Sequence, residues 1–263
     1  MKYFKLTLVS IIVVSVLAAC SGNKTAEEVE EKTSEETSSN EEESSNKLTD
    51  AEIEEGWILL FDGKTTDQWR GYNQETFPTK GWAVKDEVLM VSKSGTEEEG
   101  FGGDIITKKQ FGNFELRLDF MVKDTSNSGI LYLVREFEGQ PIWHNAPEYQ
   151  ILDNQTYLSM DEMDRTTQLT GDNYDLQAAP EDYSNAVGEW NTARIIVNNN
   201  HVEHWLNGNK TVEYEIGSEE WEALVKASKF AEYPEYGRAK MGHIGIQDHG
   251  YEVRFRNIKI KPL

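Results

Sequence analysis

A run in the middle of the chain obeys a strict period of two. Phe114, Leu116, Leu118, Phe120 and Val122 alternate with Glu115, Arg117, Asp119 and Met121. A helix would scatter those five apolar side chains around its circumference, whereas a strand puts all of them on one face. A strand with one apolar face must join a sheet, and that sheet must be covered by a second layer. The neighbouring patterns agree. Residues 57–61 read as a strand followed by Asp62-Gly63-Lys64, and residues 82–84 turn at Lys85-Asp86-Glu87 into a strand over 88–91. Residues 130–134 are apolar on both parities, the mark of a strand covered on both faces. Residues 194–197, 202–206 and 211–216 form a meander broken at Asn198-Asn199-Asn200 and Asn207-Gly208-Asn209. Only residues 218–227 look helical, with Ser218 as N-cap, acids in the first turn, and Trp221, Leu224 and Val225 on one face. Short strands, Gly/Asn turns and one short helix predict an all-β jelly-roll sandwich over residues 56–263.

The N-terminal part is a different material. Lys2 and Lys5 precede an apolar run over residues 6–17, too short to span a bilayer as a mature helix. Residues 1–19 read as a lipoprotein signal peptide, because Leu17-Ala18-Ala19-Cys20 resembles a bacterial lipobox and Cys20 is the sole cysteine. Lipidation at Cys20 would anchor the protein to a membrane of the bacterial cell envelope rather than thread it through. Residues 20–55 are rich in Glu, Ser and Thr, and such a segment cannot offset chain entropy by burial; it is expected to be a disordered acidic tether. The formal charge is −21, from 26 Lys+Arg against 47 Asp+Glu. That balance excludes nucleic acid as a partner and is compatible with neutral sugars.

Three stretches carry more chemistry than folding requires. Near the end, Ile244 and Ile246 alternate with Gly245 and Gln247, and then Gln247-Asp248-His249 form a turn with an amide, a carboxylate and an imidazole at the rim of a sheet. In the strand that follows, Val253 and Phe255 hold one parity but Ile258 and Ile260 the other, so a bulge or bend is expected near Asn257. In Pro147-Glu148-Tyr149-Gln150-Ile151-Leu152-Asp153, Glu148 and Gln150 share one strand face while Tyr149, Ile151 and Asp153 share the other. Glu148 and Asp153 therefore do not form the facing carboxylate pair of an ordinary glycosidase. Asn127-Ser128-Gly129 reads as a tight turn or as a polar rim, with the turn favoured. Among Trp69, Trp82, Trp143, Trp190 and Trp205, Trp143 in its loop is the best candidate for a sugar platform. The five histidines show no zinc spacing; a divalent metal held by Asp248, His249 and a further carboxylate is the metal site left open.

Taken in order, these segments resemble the 3-keto-disaccharide hydrolase family over essentially all of residues 56–263. The resemblance is carried by Leu60-Phe61-Asp62-Gly63-Lys64 with Trp69, Phe114-Glu115-Leu116, Asn127-Ser128-Gly129-Ile130 and Glu148-Tyr149-Gln150-Ile151-Leu152-Asp153. Tyr174-Asp175, Glu189-Trp190-Asn191, His204-Trp205-Leu206-Asn207-Gly208, Gln247-Asp248-His249-Gly250 and Phe255-Arg256-Asn257-Ile258 complete it. It implies a concanavalin A-like jelly roll acting on glycosides already oxidised at C3, by proton removal at C2, departure of the C1 substituent and addition of water. It further implies Glu148 or His249 as base and acid, and Asp248 as orienter of His249 or as metal ligand. Asn127, Gln150, Gln247 and Asn207 would be donors to sugar oxygens, with Tyr174 and Trp143 beside them. Two departures stand out: Leu133 occupies a place where an arginine is expected, with Arg135 nearby only a candidate replacement, and Thr166-Thr167-Gln168-Leu169-Thr170 lacks the basic or His residue expected just before the Gly-x-x-Tyr element. The competing reading is a non-catalytic glycan-binding lipoprotein on the same fold. An imidazole beside a carboxylate favours the enzyme, and would be without purpose in a purely structural envelope lipoprotein.

Overall fold

A computed structural model describes residues 45–94, 100–160 and 167–263. The expected signal peptide, Cys20 and the acidic stretch up to residue 44 lie outside the described residues, as does Thr166. The strands are β1 (Ile58–Leu59), β2 (Trp69–Gly71), β3 (Trp82–Lys85), β4 (Val88–Val91), β5 (Ile105–Thr107), β6 (Phe114–Val122) and β7 (Asn127–Val134). They continue with β8 (Glu148–Leu152), β9 (Asn191–Asn198), β10 (His201–Leu206), β11 (Asn209–Glu215), β12 (His243–Ile246) and β13 (Val253–Pro262). They form two antiparallel sheets. One runs β11-β10-β9-β6-β13-β4-β3, with β1 added beside the second half of β13; the other runs β2-β5-β12-β7-β8. This is the expected β-sandwich.

The alternating strand lies deep in the larger sheet, as β6 between β9 and β13. Its five apolar side chains are all buried in the layer between the sheets. Its other face is polar and paired: Glu115 accepts from Arg117 Nε (2.8 Å) and Arg194 Nε (2.7 Å). Burial pushes the Glu115 carboxyl up, but the two guanidinium groups outweigh it and hold the acid in its charged form. Strand β7 is covered on both faces. Ile130, Tyr132 and Leu133 enter the main core, while Leu131 and Val134 join Ile106, Ile142 and Ala146 in a second apolar cluster. The Trp residues other than Trp143 serve packing: Trp69 and Trp82 are core, Trp190 lies under the Arg256 guanidinium, and Trp205 lies under Arg194.

Two expectations about local structure need correction. The polar segment does not run as a tether to residue 55. Asn46 is buried and exchanges hydrogen bonds with Asn257, its N–H donating to Oδ1 (2.6 Å) while Asn257 N–H donates to Asn46 Oδ1 (2.9 Å). Helix α1 (Asp50–Glu54) follows with a capping box between Thr49 and Glu52, and its Glu52 pairs with Lys259 of β13. The sequence pattern was too polar to signal this, because the segment docks through hydrogen bonds and ion pairs rather than apolar burial. The number of helices is also larger than one. Helix α3 (Glu219–Ala227) is the expected one, with Ser218 accepting from Trp221 N–H. Helix α2 (Asn154–Leu158) is capped by Asp153, and 3₁₀ turns occupy Ile142–His144 and Lys229–Glu232. The bulge in β13 is where the parity switch places it. The register against β6 slips between Arg256 and Lys259, with Asn257 at φ +54°.

Candidate active site

Strands β7 and β8 build the floor of the site. Tyr149 and Ile151 turn into the core, so Glu148 and Gln150 face the opposite side of the smaller sheet. Across the ladder Gly129 pairs with Gln150, Leu131 with Glu148 and Asn127 with Leu152, which places Asn127 and Gly129 on the same face as the two polar side chains. Asn127-Ser128-Gly129 is thus strand, and the turn reading fails. Gly129 is glycine because a Cβ there would sit 1.9 Å from Glu148 Oε1. With its amide oriented to satisfy its neighbours, Gln150 donates to Glu148 Oε1 (3.1 Å) and to the Ser128 carbonyl (3.2 Å).

Above this floor is a cavity of about 110 Å³, lined by Asn127, Trp143, Glu148, Gln150, Tyr174, Lys229, Gln247 and His249. Seven of the ten sequence-expected catalytic and substrate-binding residues meet there; Lys229 is the addition. The 3₁₀ turn Ile142–His144 supplies Trp143, whose ring meets those of His144 and Tyr233 edge-on. The turn after β12 supplies Gln247 and His249, with Gln247 N–H bonded to the Gly129 carbonyl (3.0 Å). Lys229, held in a 3₁₀ turn capped by Ser228, lies 4.4 Å from the Tyr174 ring centre and 4.7 Å from that of Trp143. It donates to Tyr174 Oη at 3.3 Å. No sequence signal singled it out, since a lysine after a helix is ordinary surface chemistry. Tyr157 of α2 and Tyr251 stand just behind: Tyr157 reaches Asn127, and Tyr251 stacks near His249 at 6.1 Å between centres.

The three remaining expected residues are elsewhere. Asp248 is buried, and its carboxylate turns away from the cavity into a glycine cradle. Gly102 N–H donates to Oδ2 (2.9 Å), Gly250 N–H donates to Oδ1 (3.1 Å), and a Cβ on Gly100 would sit 1.8 Å from Oδ1. Burial pushes its carboxyl up from the ordinary aspartate value, and those N–H groups partly offset the rise. Its own N–H donates to Asp104 Oδ1 (2.9 Å). Asp248 therefore fixes the turn that carries Gln247 and His249, and does not join Glu148 in the cavity. Asn207 belongs to the β10–β11 turn, where it bonds Thr192, Asn191 and the Tyr183 carbonyl. Arg135 is exposed, pairs with Glu235 (2.8 Å) and covers the Phe137 ring. It does not replace an arginine at Leu133, which is buried at a β7 irregularity with φ +57°.

The electrostatics centre on Glu148. Burial pushes its carboxyl up to about 8, with Lys229 pulling down and Asp104 pushing up. It is the single carboxylate among the described residues lining this cavity. The arrangement offers a carboxyl that keeps its proton at neutral pH, an imidazole, a cation and three amides. As to a metal, the ligand atoms of His201, Glu203 and Glu213 lie within 4.8 Å of one another, but on β10 and β11 of the other sheet. Lys210 pairs with Glu213 and approaches Glu203 (3.8 Å), so part of that cluster's negative charge is already met by a cation.

Comparison with known proteins identifies the family. The profile of the 3-keto-alpha-glucoside-1,2-lyase-like domain matches residues 56–261. A 3-keto-disaccharide hydrolase of Bacteroides thetaiotaomicron is 35% identical, with 100% of both chains covered. Two solved structures from Parabacteroides distasonis, both described as glycosyl hydrolases, share the sandwich. The first is 35% identical with a TM-score of 0.75 and covers 83% of this chain and 99% of its own. The second is 26% identical with a TM-score of 0.59 and covers 79% and 99%. The chain therefore belongs to the 3-keto-alpha-glucoside-1,2-lyase-like family, and is an enzyme that acts on glycosides.

Proposed function

We propose that the cavity over β7 and β8 cleaves glycosides whose sugar ring carries a ketone at C3. The observation that supports this most is the lone carboxyl. A glycosidase working through an oxocarbenium ion needs two carboxyl groups facing one bond, and Glu148 has no second acid beside it among the described residues of that cavity. A C3 ketone removes the need. It acidifies the C2 proton, which a single base can take to give the enolate; the C1 oxygen then leaves as it gains a proton. Water adds across the resulting C1=C2 bond, so the net change is hydrolysis. His249 takes the C2 proton, and Glu148, protonated through its burial, delivers one to the departing oxygen. Lys229 and the amides of Asn127, Gln150 and Gln247 hold the C3 oxygen and the ring hydroxyls, where negative charge develops. Anchoring through Cys20 belongs to the same proposal and would hold this activity at a membrane surface of the cell envelope. The test is to incubate the purified chain with a 3-keto-glycoside and with its parent bearing an intact C3 hydroxyl. Cleavage of the ketone alone is expected; equal cleavage of both would overturn the mechanism.

A further inference from the structure

Among the described residues, Lys229 is the one primary amine that lines the active-site cavity. Its Nζ faces two rings, 4.4 Å from the centre of Tyr174 and 4.7 Å from that of Trp143. Its one hydrogen-bond partner among those residues is Tyr174 Oη at 3.3 Å, so no carboxylate there holds it by a direct bond. The Lys229 charge is nevertheless felt by the Glu148 carboxyl. The backbone beneath is fixed. Phe230, the next residue, is buried, stacks on Tyr236 with 3.9 Å between ring centres, and donates its N–H to Ser228 Oγ (3.1 Å). An amine placed this way has no ion pair to break before it reaches a substrate. The rings beside it favour a positive charge on nitrogen, whether that nitrogen is an ammonium or an iminium.

We infer that Lys229 is a covalent catalyst, whose Nζ adds to C3 of the oxidised ring and carries the reaction as an iminium. The inference rests on the reading that the cavity holds a 3-keto sugar, because a ketone is the electrophile with which a lysine condenses. The steps balance without an added reagent. The Nζ–C3 bond forms as the C3=O π bond opens, and the oxygen leaves as water with two of the three ammonium protons. One proton and the positive charge stay on nitrogen, beside the same two rings. An iminium draws electrons from C2 more strongly than a neutral carbonyl does. His249 takes the C2 proton, giving an enamine. Its electrons expel the C1 oxygen, which takes the Glu148 proton, and leave a C1=C2 bond conjugated to the C3=N iminium. Water then adds its hydroxyl to C1 while C2 regains a proton. A second water cleaves the C3–N link, which restores the ketone and frees the lysine. One water is released and two are taken up, so the net change is still hydrolysis.

Trapping tests this directly. Cyanoborohydride added while the full chain turns over a 3-keto methyl glycoside should fix one reduced keto-sugar per chain, placed on Lys229 by peptide mass mapping, and turnover should be lost as the adduct accumulates. Lys229→Arg keeps the charge but has no primary amine, and because Lys229 is exposed the variant should melt with the parent. It should form no such adduct and lose about 10³-fold in turnover, against about tenfold where charge alone is needed. Unlabelled Lys229 in an enzyme that is cleaving the ketone overturns the covalent step. So does labelling spread over other lysines at equal yield in both forms, or Lys229→Arg turning over within about tenfold of the parent. Each of those results returns Lys229 to holding the C3 oxygen by its charge, with the keto-sugar chemistry standing. Failure of the unaltered enzyme to cleave any 3-keto-glycoside would instead overturn the reading of the cavity, and the iminium with it.

Discussion

Glu148 concentrates the chemistry, and its environment makes two predictions, one for stability and one for activity. Burial lifts its carboxyl to about 8 from an ordinary value near 4.5. The folded protein thus holds that proton more tightly than the unfolded chain. Its contribution to stability is complete below about pH 4.5 and is lost as pH rises through 8, by at most about 5 kcal/mol. Glu148→Gln carries no such titration, so its melting temperature relative to the parent should climb between pH 5 and pH 9, as thermal unfolding at each pH will measure. Turnover should fall at high pH as well. If Glu148 gives its proton to the leaving group, turnover falls above about pH 8, and Glu148→Gln loses about 10²–10⁴-fold at neutral pH. A rate that instead rises through pH 8 would make Glu148 the base. At this scale the sequence is partly legible. Strand parity separates Glu148 and Gln150 from Tyr149 and Ile151, and a Gln-Asp-His turn is more polar than a hairpin needs. Asp248, expected to orient His249 or to hold a metal, sits in a cage of Gly100, Gly102 and Gly250 that holds the turn carrying His249, and scattered glycines leave no sequence pattern that announces such a cage. Lys229 was missed because its position depends on where α3 ends in space.

Among the elements, strands were far more legible than what seals their edges. The period of two in β6, the doubly apolar β7 and the parity switch in β13 each have one structural solution. Asn127-Ser128-Gly129 misled because glycine commonly marks a turn, whereas here Gly129 clears space for the Glu148 carboxylate. The segment before β1 was read as tether because polar contacts leave no periodic trace. Asn46 and the β13 bulge are nevertheless one device. Asn46 and Asn257 both adopt positive φ and exchange backbone-to-side-chain bonds, and Asn46 Nδ2 also reaches the Glu87 carbonyl (2.8 Å). Removing the chain up to residue 48 should therefore lower stability by about 1–3 kcal/mol, as should Asn46→Ala, because buried donors and acceptors on Asn257 and Glu87 lose their partners. Truncation up to residue 44 should change nothing. Chemical denaturation of the three forms separates these outcomes, and equal midpoints would return residues 45–55 to the tether.

On the scale of the whole molecule, the larger sheet carries ion pairs and cation–ring contacts on its outer face, while the smaller sheet carries the candidate active site. No helix among the described residues is long and apolar enough to cross a membrane. The lipid anchor on Cys20 is a separate proposal: Cys20→Ala should move the enzyme from the detergent-extracted to the aqueous fraction with its turnover unchanged, and persistent membrane partitioning would refute the anchor. The central claim, however, is chemical: the C2 proton is removed before the glycosidic bond breaks. Letting the enzyme cleave a 3-keto-glycoside in heavy water, and reading deuterium at C2 of the released keto-sugar by mass spectrometry and NMR, tests it directly. With free 3-keto-sugar incubated alongside to correct for exchange in solvent, the account predicts close to one deuterium at C2. Product released with its original C2 hydrogen intact would contradict it.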